Sequence, residues 1–450
     1  MNNRQRNYCV LMFPWLAHGH VFPFLELTKK LTKRSNFYIY FCSTPAILDS
    51  IKLSDNFSLS IQLIELHLPS LPELPPHYHT TKGLPLHLMP ALKKAFDMAS
   101  SSFFNILKNV NPDLLIYDFI QPWAPTLALS LNIPSVLFLT SSATMGGFLV
   151  HTFEKAPSED DGEFPFSSIF IHDYMKPKFS HLVDSSSNGI KDKDKFLQCC
   201  DSSCNVILIK TFRDLEGKYI DYLSVLMKKK LVPVGPLVED PVEEDDHEEG
   251  MEIIQWLDKK ERSSTVFVSF GSEYFLSKEE MEGIALGLEF SGVDFIWVVR
   301  FPSGVKVKVD EELPKHFLER TKERAMVVEG WAPQMKILGH PSIGGFVSHC
   351  GWSSVMESMK LGVPIIAMPM HLDQPLNARL VEDVGVGMEV RRNENGRIER
   401  EEMARVIKEV VVEKNGEKVR RKAREMSENI RKKGDEEIDE VVDELNQLSG

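Results

Sequence analysis

The densest group of chemistry-bearing residues in this 450-residue chain lies between positions 331 and 374, in WAPQMKILGHPSIGGFVSHCGWSSVMESMKLGVPIIAMPMHLDQ. An apolar run ends there at Ser348-His349 and passes through Cys350-Gly351-Trp352-Ser353-Ser354 into a helical pattern. A strand, a glycine/serine turn and a helix start in that order present unpaired backbone N–H groups and the positive end of a helix dipole, which suits a diphosphate. His349 adds a donor for phosphate oxygens, and Glu357, one turn inside the helix, is placed to accept from ribose hydroxyls. Trp331 offers a flat face to a base. Asp373-Gln374 pairs a carboxylate with an amide, a combination that suits sugar hydroxyls. The same residues also suit a capped helix packed on a tryptophan, with Trp331 in a core. The segment by itself leaves both readings open.

Two residues of the first half form a second group. His20 follows the apolar run 8–15 and precedes a helical pattern near Val21, and Asp118 ends PDLLIYD (112–118). A helix start disfavours the imidazolium, so a histidine there is kept neutral and able to accept a proton. A carboxylate at a neighbouring strand end would orient that histidine and stabilise its charge after proton transfer. Strand-end histidines are more often structural, strand-end aspartates often cap helices, and His18 competes for the same role.

These groups need a scaffold that brings strand ends together. Short β-branched and aromatic runs alternate with helical patterns, which predicts parallel α/β layers. Strands are expected at 8–15, 37–43, 61–68, 112–118, 133–140, 205–211 and 231–235, with a helix over 21–34 that tolerates Pro23 in its first turn. The proline-rich stretch 69–90 predicts an extended loop. Positions 239–249 hold eight carboxylates and no lysine or arginine, the pattern of a solvated linker. A second α/β series follows, with strands at 264–270, 295–300, 325–330, 343–348, 363–369 and 386–390. Ser277 and Glu280 predict a capping box, and the apolar spacing over 431–450 predicts a closing amphipathic helix. Two doubly wound domains facing one cleft are the expected architecture. Domain one covers 1–237, an acidic linker 238–252 and domain two 253–430, with 431–450 packing back on the first.

Composition narrows the partners. Lysine and arginine total 52 against 65 acids, a net charge of −13, which argues against affinity built on neutralising a phosphate backbone. No apolar run reaches the length of a membrane span. The six cysteines make no disulfide scaffold, and the group at Cys199, Cys200 and Cys204 lacks metal-ligand spacing. The opening MNNRQRNYCVLMFPW is read as a first buried strand rather than a leader, because Pro14 interrupts it and no small-x-small cleavage pattern follows. Asn56-Phe57-Ser58 is then a sequon without consequence. Asp192-Lys-Asp194 is expected in a solvated loop. A reduced, cytoplasmic protein is expected.

Segment 331–374 resembles, along all 44 residues, the signature box of plant UDP-dependent glycosyltransferases. FPWLAHGHVFPFLELTKKL is similar to that family's start, IYDF around Asp118 to its matching segment, and SFGS at 269–272 to its S-F-G-[ST] turn. The resemblance implies the GT-B fold, two Rossmann-like domains with acceptor bound by the first and UDP-sugar by the second. It implies His20 as base and Asp118 as its partner, Trp331 stacked on uracil, and Ala332 and Gln334 on uracil and ribose. Glu357 would take the ribose hydroxyls, with Gly351, Ser353, Ser354, His349 and Ser272 at the diphosphate. Trp352, Asp373, Gln374 and Thr140 would face the transferred sugar. Where the family usually has H-C-G-W-N-S this chain has HCGWSS, so Ser353 replaces an asparagine amide at the phosphate.

The implied reaction is an inverting displacement that needs no metal or other cofactor, with UDP-glucose as co-substrate. FPWLAHGH, HTTKGLP (79–85), SFGSEYFLSKEEMEGIALGLE and IWVVRFP resemble the sugar-on-sugar branch, including triterpenoid glucosyltransferases that build β-1,6 or β-1,2 branches. Such an acceptor calls for a wide apolar cleft, which Trp15, Phe119, Trp123, Met145, Phe148 and the loop 69–90 could line; these residues could equally belong to the core. A partner list follows: a UDP-sugar and a small-molecule glycoside, no nucleic acid, no membrane span, a monomer. Direct glucosylation of an aglycone such as a flavonoid, and non-catalytic UDP-sugar binding, are the competing readings.

Overall fold

A computed structural model describes residues 8–34, 37–53, 57–154, 163–239, 248–302 and 307–448. Asn56 and the acidic positions 240–247 lie outside them. The chain divides into two compact units. One comprises the chain up to Phe164, then Ser180–Leu237 and the residues from Asp435 onward, and the other comprises Pro165–Phe179 and Val238–Gly434.

Uninterrupted apolar runs become the strands of both units, as expected where helices cover the two faces of a parallel sheet. In the first unit, β1 (Tyr8–Phe13), β2 (Phe37–Ser43), β3 (Ile61–Glu65), β4 (Leu114–Tyr117), β5 (Ser135–Leu139), β6 (Val206–Ile209) and β7 (Lys230–Pro233) pair in parallel in the order β3-β2-β1-β4-β5-β6-β7. Val10 of β1 sits opposite Ile39 on one side and Leu114 on the other. The strand order therefore reverses between β1 and β4, and ligands of open parallel sheets bind beyond the carboxyl ends at such a reversal.

The second unit repeats the plan. Its strands β8 (Thr265–Ser269), β9 (Asp294–Val299), β10 (Ala325–Glu329), β11 (Ile343–Ser348), β12 (Ile365–Ala367) and β13 (Gly387–Glu389) run in the order β10-β9-β8-β11-β12-β13. Alternate residues face opposite layers. Val266, Val268 and Trp297 pack with Ile284, Leu288, Met403 and Ile407, whereas Phe267, Ile296 and Phe346 pack with Ile253, Leu257 and Ile337. The reversal here lies between β8 and β11.

Several expectations are revised. The first helix is His18–Arg34, starting three residues early, and β1 stops at Phe13. The stretch 69–90 is not wholly extended: it contains short turns at Pro76–Tyr78 and Leu86–Leu88 and the start of helix Met89–Met98. Asp192-Lys-Asp194 is no solvated loop but opens helix Asp192–Ser202, with Asp192 paired to Lys93 and accepting from Ser185. Helix Glu248–Leu257 begins inside the expected linker.

Pro165–Phe179 belongs to the second unit, although the sequence reading assigned it to the first domain. Arg379 explains the attachment: its Nε donates to the Ser168 carbonyl at 3.2 Å and its guanidinium lies 4.5 Å from the Phe170 ring centre. Lys178 also donates to the Met370 carbonyl at 3.2 Å. Helix Glu436–Gln447 belongs to the first unit, burying Ile438, Val441 and Leu445, and Arg34 and Lys230 donate to Asp439 and Glu444 at 2.7 and 2.6 Å. Among the described residues no helix is long and apolar enough to cross a membrane, and no group of three or more histidine, cysteine or acidic residues is placed to hold a metal ion. The six cysteines are free thiols, with Cys199 and Cys200 buried.

Candidate active site

In the first unit, the turn after β1 leads directly into helix His18–Arg34, and the chain after β4 delivers Asp118 beside it. Asp118 is fully buried, which is costly for a carboxylate unless every oxygen is used. Its Oδ2 accepts from the Trp15 backbone N–H at 3.0 Å and lies 2.8 Å from His20 Nδ1, while Oδ1 accepts from the Phe119 N–H at 2.8 Å. The backbone thus fixes the carboxylate, and the carboxylate fixes the ring. With Nδ1–H turned to Asp118, the histidine lone pair resides on Nε2. His18 is half-buried, and burial together with the Lys82 cation holds its pKa below the ordinary value.

Thr140 falls at the carboxyl end of β5, where its hydroxyl lies 2.8 Å from His20 Nδ1. Its closest partner is therefore the histidine. Of the expected acceptor-lining residues, Phe119 lies beside His20, with ring centres 5.4 Å apart. Trp15 and Met145 are buried, and Phe148 packs edge-on to Phe164. Trp123 sits in an aromatic cluster with Phe13, Phe96 and Phe103, its Nε1 donating to Asp97 at 3.1 Å.

In the second unit, Gly271-Ser272 follows β8 and His349 follows β11, on the two strands flanking the order reversal. The His349 ring lies between two glycines. A Cβ at Gly271 would come within 2.7 Å of its Nε2, and one at Gly351 within 2.5 Å, so neither position accepts a side chain without moving the ring. Gly271 also holds φ +76°, a conformation natural to glycine. Burial, with the Arg300 cation and the neighbouring His371 ring adding to it, lowers the His349 pKa to about 3. The ring is neutral near pH 7, so any ligand at this turn would meet an N–H rather than a charge. His349 Nδ1 is buried without a hydrogen-bond partner among the described residues.

Helix Trp352–Leu361 begins immediately after this turn, capped by Gly351. Trp352 is buried, whereas Ser353, Ser354 and Glu357 are half-buried on its first turns. Gln334 is brought to the same helix: its amide N donates to Ser354 Oγ at 3.1 Å and to Glu357 Oε2 at 2.5 Å. Three residues assigned to ribose and phosphate by sequence therefore form one polar group. Trp331 is 43% exposed, which is unusual for a tryptophan and leaves a face open to stacking. Ala332 beside it is buried, and Ser272 is exposed.

Asp373 is half-buried at the start of helix Gln374–Val384. Gln374 Oε1 accepts from the Met370 and His371 N–H groups at 2.9 and 3.0 Å, so its carbonyl shapes the preceding loop and its NH2 is the hydrogen-bonding end left to a ligand.

Two residues escaped the sequence reading. Arg300 donates to the Gly271 and Gly330 carbonyls at 3.0 and 2.7 Å, tying the turn after β8 to the residue before Trp331. Its position at the end of IWVVR, a strand leading toward the site, was the available signal. Glu216 is fully buried and accepts from the Ala143 and Thr144 N–H groups at 2.9 and 2.7 Å, capping helix Ala143–Glu154 just beyond Thr140. Nothing in the sequence around Glu216 marks it.

Known proteins share both halves of this design. Residues 238–427 match the family described as UDP-glucoronosyl and UDP-glucosyl transferase, and residues 7–239 match the glycosyltransferase N-terminal domain. A mogroside IIIx synthase of Siraitia grosvenorii is 57% identical, covering 98% of this chain and 93% of that protein. A beta-D-glucosyl crocetin beta-1,6-glucosyltransferase of Gardenia jasminoides is 52% identical over 97% of this chain and 98% of its own length. Among solved structures, UGT71G1 of Medicago truncatula complexed with UDP-glucose covers 100% of both chains with a TM-score of 0.75 at 27% identity. Two parallel-sheet units with the diphosphate-type turn in the second are the GT-B fold of these enzymes. The chain belongs to the UDP-glycosyltransferase family and is a transferase.

Proposed function

We propose that this enzyme transfers glucose from UDP-glucose to a sugar hydroxyl of a small-molecule glycoside, triterpenoid or similar, forming a β-1,6 or β-1,2 branch. The observation that carries the chemistry is the buried Asp118 carboxylate on His20 Nδ1 at 2.8 Å, which commits Nε2 to accept a proton. In the proposed step the acceptor hydroxyl gives its proton to Nε2, and its oxygen bonds to the anomeric carbon of the α-linked donor. The bond from that carbon to the UDP oxygen breaks, and UDP leaves from the opposite face. The product is a β-glycoside.

Charge developing on UDP falls on the backbone N–H groups at the start of helix Trp352–Leu361 and on the N–H of neutral His349, the kind of fixed donor array that stabilises a leaving anion. The reading therefore assigns the reaction no metal ion and no other cofactor. Trp331 takes the uracil, Gln334 and Glu357 the ribose, and Asp373 with the Gln374 NH2 the sugar. The two relatives described above, one named as a synthase of mogroside IIIx and the other as a beta-1,6-glucosyltransferase of beta-D-glucosyl crocetin, support a glycosylated acceptor. A monomeric, cytoplasmic enzyme completes the reading.

The test is turnover with UDP-glucose on matched pairs of aglycone and monoglucoside. Higher kcat/KM on the monoglucoside is expected. Preference for the aglycone would favour direct glucosylation, and UDP binding without transfer to any acceptor would leave a binding protein.

A further inference from the structure

Among the non-glycine residues of the second unit with left-handed backbone are Cys350 at φ +64° and Leu372 at φ +56°. Such conformations are unfavourable for residues with a Cβ and persist where surrounding contacts over-determine them. Cys350 precedes Gly351 in the diphosphate turn, and Leu372 precedes Asp373 in the sugar loop. One side chain reaches both places. Asn377 is fully buried in helix Gln374–Val384, and its Nδ2 donates to the Cys350 carbonyl at 3.0 Å and to Asp373 Oδ2 at 2.8 Å. Both partners are pure acceptors, which fixes the amide orientation with nitrogen toward them.

We propose that Asn377 is a positioning residue that locks the sugar-binding carboxylate to the diphosphate turn, so that the two ends of the donor site are set by one amide. This rests on the UDP-sugar reading given above. The geometry requires both donated hydrogens. An aspartate in the same place would oppose a carbonyl and a second carboxylate, and an apolar residue of similar size would remove both donated hydrogen bonds. The two bonds from the Asn377 amide reach Asp373 and the Cys350 carbonyl, both in the donor half, so its loss falls on donor binding and spares the acceptor.

The test compares wild type with Asn377→Leu and Asn377→Asp, measuring UDP affinity by calorimetry, KM for UDP-glucose, KM for a glycoside acceptor, and melting temperature. A charge-assisted hydrogen bond in a buried site corresponds to roughly a tenfold change or more in affinity. The expected result is a UDP-glucose KM raised about tenfold or more in both folded variants, weaker UDP binding, and an acceptor KM within about twofold of wild type. Equal changes in the two KM values, unchanged donor KM, or loss of fold in both variants would overturn the proposal and make Asn377 a residue of general stability. Wild-type protein that bound no UDP would instead refute the underlying functional reading, which the calorimetry reports separately.

Discussion

Replacing Asp118 with asparagine separates the geometry of His20, the proposed base, from its electrostatics. The carboxylate accepts three hydrogen bonds, from the Trp15 and Phe119 N–H groups and from His20 Nδ1, all at 2.8–3.0 Å. Asparagine keeps the shape but offers one acceptor oxygen. With that oxygen on the Phe119 N–H, its NH2 faces His20 Nδ1 and draws the ring into the tautomer whose proton sits on Nε2. The base is then protonated at the atom that must accept. Losing the charge-assisted bond alone removes about 1.5–3 kcal/mol, or about 10- to 100-fold in rate. The wrong tautomer adds to this, and the corresponding change beside the histidine of a serine protease costs about 10⁴-fold. A fall in kcat of about 10³–10⁴ is expected.

The Trp15 N–H loses its acceptor in the same variant, which costs about 1–3 kcal/mol and about 2–4 °C of melting temperature per kcal/mol for a unit of this size. UDP affinity should not change, since no donor-site residue is touched. The assay is UDP release at saturating substrates, paired with calorimetric UDP binding and a thermal melt. A folded Asp118→Asn enzyme with kcat within tenfold of wild type would refute the assignment of Nε2 as the proton acceptor.

Other perturbations probe the donor side. Ser353→Asn restores an amide at the first turn of helix Trp352–Leu361, and saturation curves should show a UDP-glucose KM lowered several-fold with acceptor KM unchanged; coincident curves would dismiss a role for this position. Gly351→Ala places a Cβ within 2.5 Å of His349 Nε2, so UDP affinity measured by calorimetry should fall at least about tenfold. His349 and His371 have pKa values lowered to about 3 and about 4, chiefly by burial. Their folded values lie below the unfolded one, so the unfolded chain binds more protons between about pH 4 and 6.5, and stability falls as pH drops through that window. Melting temperatures over the window should decline less steeply in His371→Gln, and parallel profiles would contradict this.

The strands were legible because burial on both faces demands uninterrupted apolar runs such as YCVLMF and VILI, which no loop tolerates. The family was legible because its signature is contiguous, so that Trp331 through Gln374 stand within one segment of a chain that matches the UDP-glycosyltransferase model. What escaped was set through space. Arg300, Glu216 and Asn377 act by donating to or accepting from backbone far away in sequence, and a single side chain in a helix or strand carries no local mark of such a partner. The contact of the Thr140 hydroxyl with His20 was not legible, because β5 and the turn after β1 converge in a way that no spacing encodes. Trp123 was open to a cleft or a core reading, and it packs among Phe13, Phe96 and Phe103. Charge composition misread Asp192, whose carboxylate is answered by Lys93 on a distant helix. The attachment of Pro165–Phe179 to the second unit was equally hidden, since it depends on Arg379 meeting Ser168 and Phe170.

The structure of the product tests the central claim most directly. After reaction of the enzyme with UDP-glucose and a monoglucoside, NMR should show the new glucose β-linked to carbon 6 or carbon 2 of the existing sugar. An α-linkage, or a new glucose on the aglycone itself, would contradict the account.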